Sequence, residues 1–146
     1  MTTNRTMPSG QPGDVPRGNP TLINPNNDEE TKRSLLRENE SAEIIARAGY
    51  NIEQNPIPPL GSRQKPDYLI EGRIFDCYAP ETAKAYNIVR SIAHKVGTGQ
   101  TNRIILNLDD SAVSIEEIRN QLTSTVIPGL EEIFIIKDDK VFPFFP

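Results

Sequence analysis

Apolar positions recur along the chain with two different periods, and the switches between them mark out the elements. Over residues 28–48, Leu35, Leu36, Ala42, Ile44, Ile45 and Ala48 form a helical stripe. The segment holds no Pro or Gly, opens with acids that complement the helix dipole, and is followed by Gly49 as a stop. Residues 50–54 read as a short strand, ended by a proline-rich loop over 55–66. From 67 to 78 the pattern is that of a hairpin: Tyr68-Leu69-Ile70 on one side, Ile74-Phe75 and Cys77-Tyr78 on the other, with Gly72 in the turn. A second helix is expected from Pro80 and Glu81 to Val96, burying Ala85, Val89, Ile92 and Val96 and ending at Gly97-Thr98-Gly99. The nearly continuous apolar run over 103–108 is what a central strand covered on both faces requires. Ser114 and Glu117 have the spacing of a capping box and open a third helix that Pro128-Gly129 terminates. Strands over 132–136 and 141–145 then pair across Asp138-Asp139-Lys140. The order α-β-β-β-α-β-α-β-β predicts an α/β fold, a mixed β-sheet flanked by helices on both faces.

Composition divides the chain. Residues 1–27 are rich in Pro, Gly, Asn and Thr and offer little beyond Val15, Leu22 and Ile23 to bury. Such a segment does not recover its conformational entropy from apolar burial, so it is expected to be a disordered leader or linker, with the folded domain over 28–146. No apolar stretch approaches the roughly 20 residues needed to cross a bilayer, and no secretory h-region opens the chain, so no membrane is expected as a partner. The single cysteine, Cys77, excludes an intrachain disulfide and reads as a buried strand residue; with a single histidine, His94, it excludes a zinc-finger arrangement. His94 reads as a surface residue, and Phe142, Phe144 and Phe145 as a C-terminal strand packed on the core. No homo-oligomer is inferred. The net charge of −4 argues against broad, nonspecific nucleic-acid binding. The middle of the chain is nonetheless basic: Arg63, Lys65, Arg73, Lys84, Arg90, Lys95 and Arg103 outnumber Asp67, Glu71, Asp76 and Glu81, and both flanks are acidic.

The chemistry concentrates on the hairpin. With Gly72-Arg73 as a two-residue turn, Glu71 faces Ile74, Leu69 faces Asp76 and Asp67 faces Tyr78. Side chains alternate along a strand, so Asp67 and Asp76 share a face as diagonal neighbours with backbones roughly 7–8 Å apart. Two carboxylates so placed can converge on one divalent cation. Asp76 lies between Phe75 and Cys77 in a strand that should be internal, where a lone carboxylate is costly.

Pro66-Asp67 followed by Asp76-Cys77-Tyr78 resembles the PD-(D/E)xK nuclease signature, with Tyr78 in place of the lysine, and the α-β-β-β-α-β order resembles that superfamily's core. The resemblance implies that the acids hold Mg2+ or a similar divalent cation as cofactor, which activates a water to attack phosphorus. It also implies a third acid from the first helix, for which Glu40 is preferred over Glu43. A tyrosine with an ordinary pKa near 10 does not do the electrostatic work of a lysine. The second helix offers Lys84 and Lys95 instead. Lys95 is preferred, because Gln100 and Arg103 follow it and would complete a phosphate-binding corner.

A longer set of strings carries a closer resemblance: Asn39-Glu40 with Ala42, Gly49-Tyr50, Glu53-Gln54-Asn55-Pro56, Pro66-Asp67-Tyr68-Leu69-Ile70-Glu71-Gly72, Phe75-Asp76-Cys77-Tyr78, Lys95, and Gln100 with Arg103-Ile104-Ile105-Leu106-Asn107-Leu108. Over residues 32–137 the chain resembles the C-terminal tRNase domains of contact-dependent growth-inhibition toxins and other polymorphic toxins. That implies a metal-dependent tRNA-cleaving toxin, delivered from a larger bacterial protein into a competitor's cytoplasm and neutralised by a cognate immunity protein. The implied catalytic residues are Glu40, Asp67, Asp76 and Lys95. Glu40, Asp67 and Asp76 would bind metal, and Tyr78, Gln100 and Arg103 would bind substrate. Two alternatives stand beside it: an inactive nuclease-like binding module, in keeping with the missing lysine, and a DNA endonuclease, since the fold does not choose the polymer.

Overall fold

The structure is a computed structural model that describes residues 5–57 and 65–146. Seven strands form one sheet in chain order: β1 (Arg17–Gly18), β2 (Ile52–Gln54), β3 (Tyr68–Ile70), β4 (Arg73–Tyr78), β5 (Arg103–Asn107), β6 (Glu132–Lys137) and β7 (Lys140–Phe145). β1 and β2 are parallel, β3 is antiparallel to both β2 and β4, β4, β5 and β6 are parallel, and β7 returns antiparallel to β6. The parallel strands are joined by α2 (Ala85–Gly97) and α3 (Ile115–Ser124). Both helices contribute to one core cluster, as two crossovers of the same hand require. α1 (Glu29–Arg47) packs on the opposite face. The expected mixed sheet between helices is therefore the architecture found.

Local signals set the helix ends. The Asp28 carboxylate accepts from the Thr31 N–H at 2.7 Å and opens α1, with Glu29 and Glu30 in the first turn. Ser114 accepts from the Glu117 N–H at 3.1 Å and opens α3. β5 is buried on both faces: Ile104 and Leu106 enter the cluster beneath α2 and α3, and Ile105 joins Phe134 and Ile136 beneath α1. Phe144 is buried with β7 against the same core as α3, and Phe142 and Phe145 pack beside it.

Three expectations need correction. The hairpin turn is Glu71-Gly72, with φ of 50° and 79°, rather than Gly72-Arg73. Two positive φ values give the turn a twist that suits a tight hairpin. Glu71 tolerates that conformation because its carboxylate is fixed by the Asn51 N–H (2.8 Å) and the Ser9 N–H (2.9 Å). The second helix starts at Ala85, four residues later than Glu81, because the chain before it is held by tertiary contacts: the Arg33 guanidinium donates to the Ala79 carbonyl (2.8 Å) and the Ser111 hydroxyl to the Thr82 carbonyl (2.6 Å). The proline-rich loop over 55–66 lies partly outside the described residues.

The third correction concerns the segment expected to be a disordered leader. Residues 5–27 lie along the sheet, held by polar rather than apolar contacts. The Thr6 N–H and hydroxyl both donate to the Glu132 carboxylate at 2.6 Å. The Gly10 N–H donates to the Gly49 carbonyl (2.7 Å), and Gly13 to Arg47 (2.8 Å). β1 pairs with β2, and the Thr21 N–H donates to Asn39 Oδ1 (2.8 Å) on α1. An estimate based on apolar burial does not register such contacts.

Glu132 is 1% exposed at the start of β6 and binds Thr6, the Arg103 guanidinium (2.8 Å) and the Arg73 guanidinium (3.6 Å). Glu132→Ala leaves two partly buried guanidiniums and a buried threonine without their acceptor. We expect it to lower the unfolding free energy by about 3–5 kcal/mol in urea denaturation, well beyond an exposed-glutamate control such as Glu116→Ala.

Candidate active site

The site arises where the sheet forks. β3 pairs with β4 through Tyr68↔Phe75, Leu69↔Ile74 and Ile70↔Arg73, and continuing that register one step sets Asp67 opposite Asp76. Beyond this point β4 runs on beside β5, with Asp76, Cys77 and Tyr78 opposite Ile104, Ile105 and Leu106. The corrected turn slides the hairpin pairing by two residues, which preserves the faces and changes the two acids from diagonal to directly opposed. Side-chain oxygens take over where the ladder ends. The Cys77 N–H donates to Asp67 Oδ2 at 2.9 Å, and the Asp67 N–H donates to Asp76 Oδ1 at 3.1 Å. The Asn55 N–H donates to the Asp67 carbonyl at 2.9 Å, so Asp67 is fixed through its N–H, carbonyl and carboxylate.

Burial and crowding of like charge raise both acids. Asp67 is pushed up to about 7, first by burial and then by the negative charge of Glu38, against the pull of the Cys77 N–H and the Lys95 ammonium. Asp76, 3% exposed, is pushed up to about 6 by burial and by Asp67, opposed by the Asp67 N–H, Lys95 and Gln100. Two acids that resist full ionisation at neutral pH are ready to share a proton or a cation. Among the described residues no group of three or more His, Cys, Asp and Glu forms a preformed metal cage. A pair of carboxylates nevertheless fits a Mg2+-type ion, which usually takes one or two carboxylates and completes its shell with water and substrate phosphate.

Lys95 comes from the last turn of α2 and sets its Nζ over the Tyr78 ring, 5.6 Å from the centroid. Tyr78 and Lys95 line a groove of about 600 Å3 with Asn87, Arg90, Ser91, His94 and Gln100. Asp67, Asp76, Tyr78, Lys95 and Gln100 are thus brought together. Lys84 is the exposed residue before α2. Cys77 points toward α1, with its Sγ 3.9 Å from the Ser41 hydroxyl, and burial pushes its thiol up to about 12, so it stays protonated and inert.

Two expected members lie elsewhere. Glu40 is paired with Arg37 at 2.6 Å, in a cluster where Arg37 and Arg33 clamp Asp110 from α1. Arg103 points to the face that carries Glu132 and is neutralised by Glu131 (2.5 Å) and Glu132 (2.8 Å). Glu43 is exposed. The acid that α1 brings to Asp67 is Glu38, 8% exposed, whose carboxylate accepts from the Thr21 hydroxyl. Its backbone carbonyl accepts from the Tyr68 hydroxyl at 2.6 Å, which locks α1 to β3. A signal for it exists in the sequence: Glu38 falls on the apolar stripe with Ala42 and Ile45, where an unpaired acid is out of place.

Because the folded-state pKa values of Asp67 and Asp76 lie above the ordinary 3.8, the unfolded chain gives up these protons first. The fold then loses stability as pH rises from about 4 to about 7, and below that window both states are protonated. Asp76→Asn is expected to stabilise the protein by about 1–2 kcal/mol at pH 8, with the gain fading toward pH 4. Thermal melts across pH check this; a gain that does not vary with pH would contradict the raised pKa.

Residues 63–141 match the family described as the contact-dependent growth inhibition CdiA C-terminal domain. The protein named tRNA nuclease CdiA-2, from Burkholderia pseudomallei (strain 1026b), is 47% identical over 119 residues, which is 82% of this chain and 4% of that protein's length. A solved chain described as the CdiA-CT/CdiI toxin and immunity complex from Burkholderia pseudomallei superposes with a TM-score of 0.84 at 41% identity, covering 90% of this chain and 99% of that one. The chain belongs to the family of contact-dependent growth-inhibition CdiA C-terminal domains.

Proposed function

We propose that this domain is a metal-dependent endoribonuclease toxin that cleaves tRNA in a competitor's cytoplasm, is delivered as part of a larger protein, and is held inactive at home by a cognate immunity protein. The observation that carries the reading is the opposed pair at the sheet fork, Asp67 half-buried and Asp76 buried, with Lys95 beside it. The relative named a tRNA nuclease and the solved toxin–immunity complex support the substrate and the partner. The fork, with acids on adjacent strands and an acid on the preceding helix, is in keeping with a PD-(D/E)xK-like core.

Asp67 and Asp76 would hold a divalent cation; when bound, it supplies positive charge to the scissile phosphate and a water of lowered pKa. The chain's own groups do the rest. Lys95, held over Tyr78, places an ammonium where negative charge grows on phosphorus, the task the family's lysine performs from the adjacent strand. Gln100 lies on the groove wall beside Asp76 and can donate to a phosphate oxygen. Glu38 sits behind Asp67 and sustains its affinity for a proton or cation by like-charge repulsion.

The purified domain incubated with total RNA in Mg2+ should remove discrete tRNA bands, and EDTA should stop it. Asp76→Ala and Lys95→Ala should each lower the rate by at least about 100-fold. Glu38→Gln should cost about tenfold or more and Glu40→Gln less than about threefold; the reverse order would return the helix acid to Glu40. Cut plasmid with intact tRNA would make the domain a DNA endonuclease, and intact polymers under every ion would make it a binding module.

A further inference from the structure

We infer that Arg90, with His94 one turn along α2, binds a phosphate of the RNA strand next to the one being cleaved. This rests on the ribonuclease reading and extends it to a substrate contact outside the catalytic group.

Charge placement is the first argument. The chain carries more acids than bases, yet residues 82–108 contain no Asp or Glu while they carry Lys84, Arg90, His94, Lys95 and Arg103. The acid-free stretch comprises all of α2 and reaches through β5. Among the described residues, Arg33 and Arg37 are neutralised by Asp110, Arg17 by Glu53, and Arg73 and Arg103 by Glu132, while Arg47, at the end of α1, does not line this groove. Arg90 is exposed and makes no hydrogen bond or ion pair among the described residues. An arginine left without a carboxylate in an acidic protein keeps its full charge and its donor fork for an external anion.

Geometry is the second argument. Arg90 and His94 line the same groove as Tyr78, Lys95 and Gln100, so the surface is continuous with the catalytic pair. Along α2, Arg90 precedes Lys95 by five residues, about 7.5 Å of helix axis. That axial offset is comparable to the step between neighbouring phosphates on one strand, and both side chains reach the same groove. A strand with its scissile phosphate at Lys95 and Asp76 therefore carries its neighbour to Arg90 and His94. Arg103, expected to fill this role, faces Glu131 and Glu132 instead. The groove's basic wall is supplied by the exposed face of α2, not by the strand after it.

The test separates binding from chemistry. Steady-state cleavage of tRNA by the full chain should show KM raised about tenfold in Arg90→Ala, with kcat within about threefold of wild type. Arg90→Lys should recover part of the loss. In an Asp76→Ala background, the dependence of log K for tRNA on log salt should flatten by about 0.7–0.9 on adding Arg90→Ala, the release of one counterion. Arg119→Ala, on α3, should leave KM and the salt slope unchanged. Unchanged KM and slope in Arg90→Ala would overturn the inference and leave the ribonuclease reading intact. Absence of RNA binding and cleavage by the wild-type chain would overturn both. Lost binding of the immunity protein with an unchanged KM for RNA would assign the groove to a protein partner instead.

Discussion

A β-sheet that parts between two neighbouring strands leaves backbone donors without a carbonyl to receive them, and buried donors must be satisfied. Here that requirement falls where β3 leaves β4, and it is met by aspartate side chains. Asp67 Oδ2 takes the Cys77 N–H, and Asp76 Oδ1 takes the Asp67 N–H. The bonds that close the fork also aim the two acids at each other and hold them in a poorly solvated place. Their raised proton affinity follows from that placement. Structure and chemistry share the same atoms, so stability is lost at neutral pH where the site needs its charge.

The rest of the molecule supports the fork from both faces. α1 is drawn against β3 through the Tyr68 hydroxyl and brings Glu38 to Asp67. α2 lies on the other face and brings Lys95 over Tyr78. The N-terminal segment joins in through Thr21, whose hydroxyl donates to Glu38 and whose N–H donates to Asn39. At the far end of the parallel strands, Glu132 gathers Thr6, Arg73 and Arg103 into one buried polar group. The segment that reads as a leader by composition is thus tied at one end to the sheet and at the other to the helix that carries Glu38.

An acidic domain proposed to act on a polyanion must segregate its charge. Glu30 and Glu40 on α1 and Asp110 after β5 are matched by Arg33 and Arg37, and Glu132 absorbs the arginines of β4 and β5. Among the described residues, Arg90 on α2 keeps its charge without a paired acid beside the groove. The net charge of the chain therefore says little about the field at the site, which is decided by which bases lack an acid.

Periodicity and turn chemistry in the sequence determined the order of elements, the central position of the strand over 103–107, the caps at Asp28 and Ser114, and the shared face of Asp67 and Asp76. These depend on residues close together in the chain, where the helix and strand repeats dictate which side chains align. The opposed register depended on Glu71, whose positive φ is supported by Asn51 and Ser9 from distant segments. The resemblance implies Glu40, with Glu43 as the alternative, for the helix acid; packing turned Glu38 inward to Asp67 and gave Glu40 to Arg37. Arg103 follows Gln100 in the chain but points to the opposite face, toward Glu132. The ordered placement of residues 5–27 rests on hydrogen bonds to Glu132, Gly49 and Asn39, none of them a neighbour in sequence. Repeats fix which residues share a face; only the folded chain decides which faces meet, because long-range hydrogen bonds and ion pairs have no period.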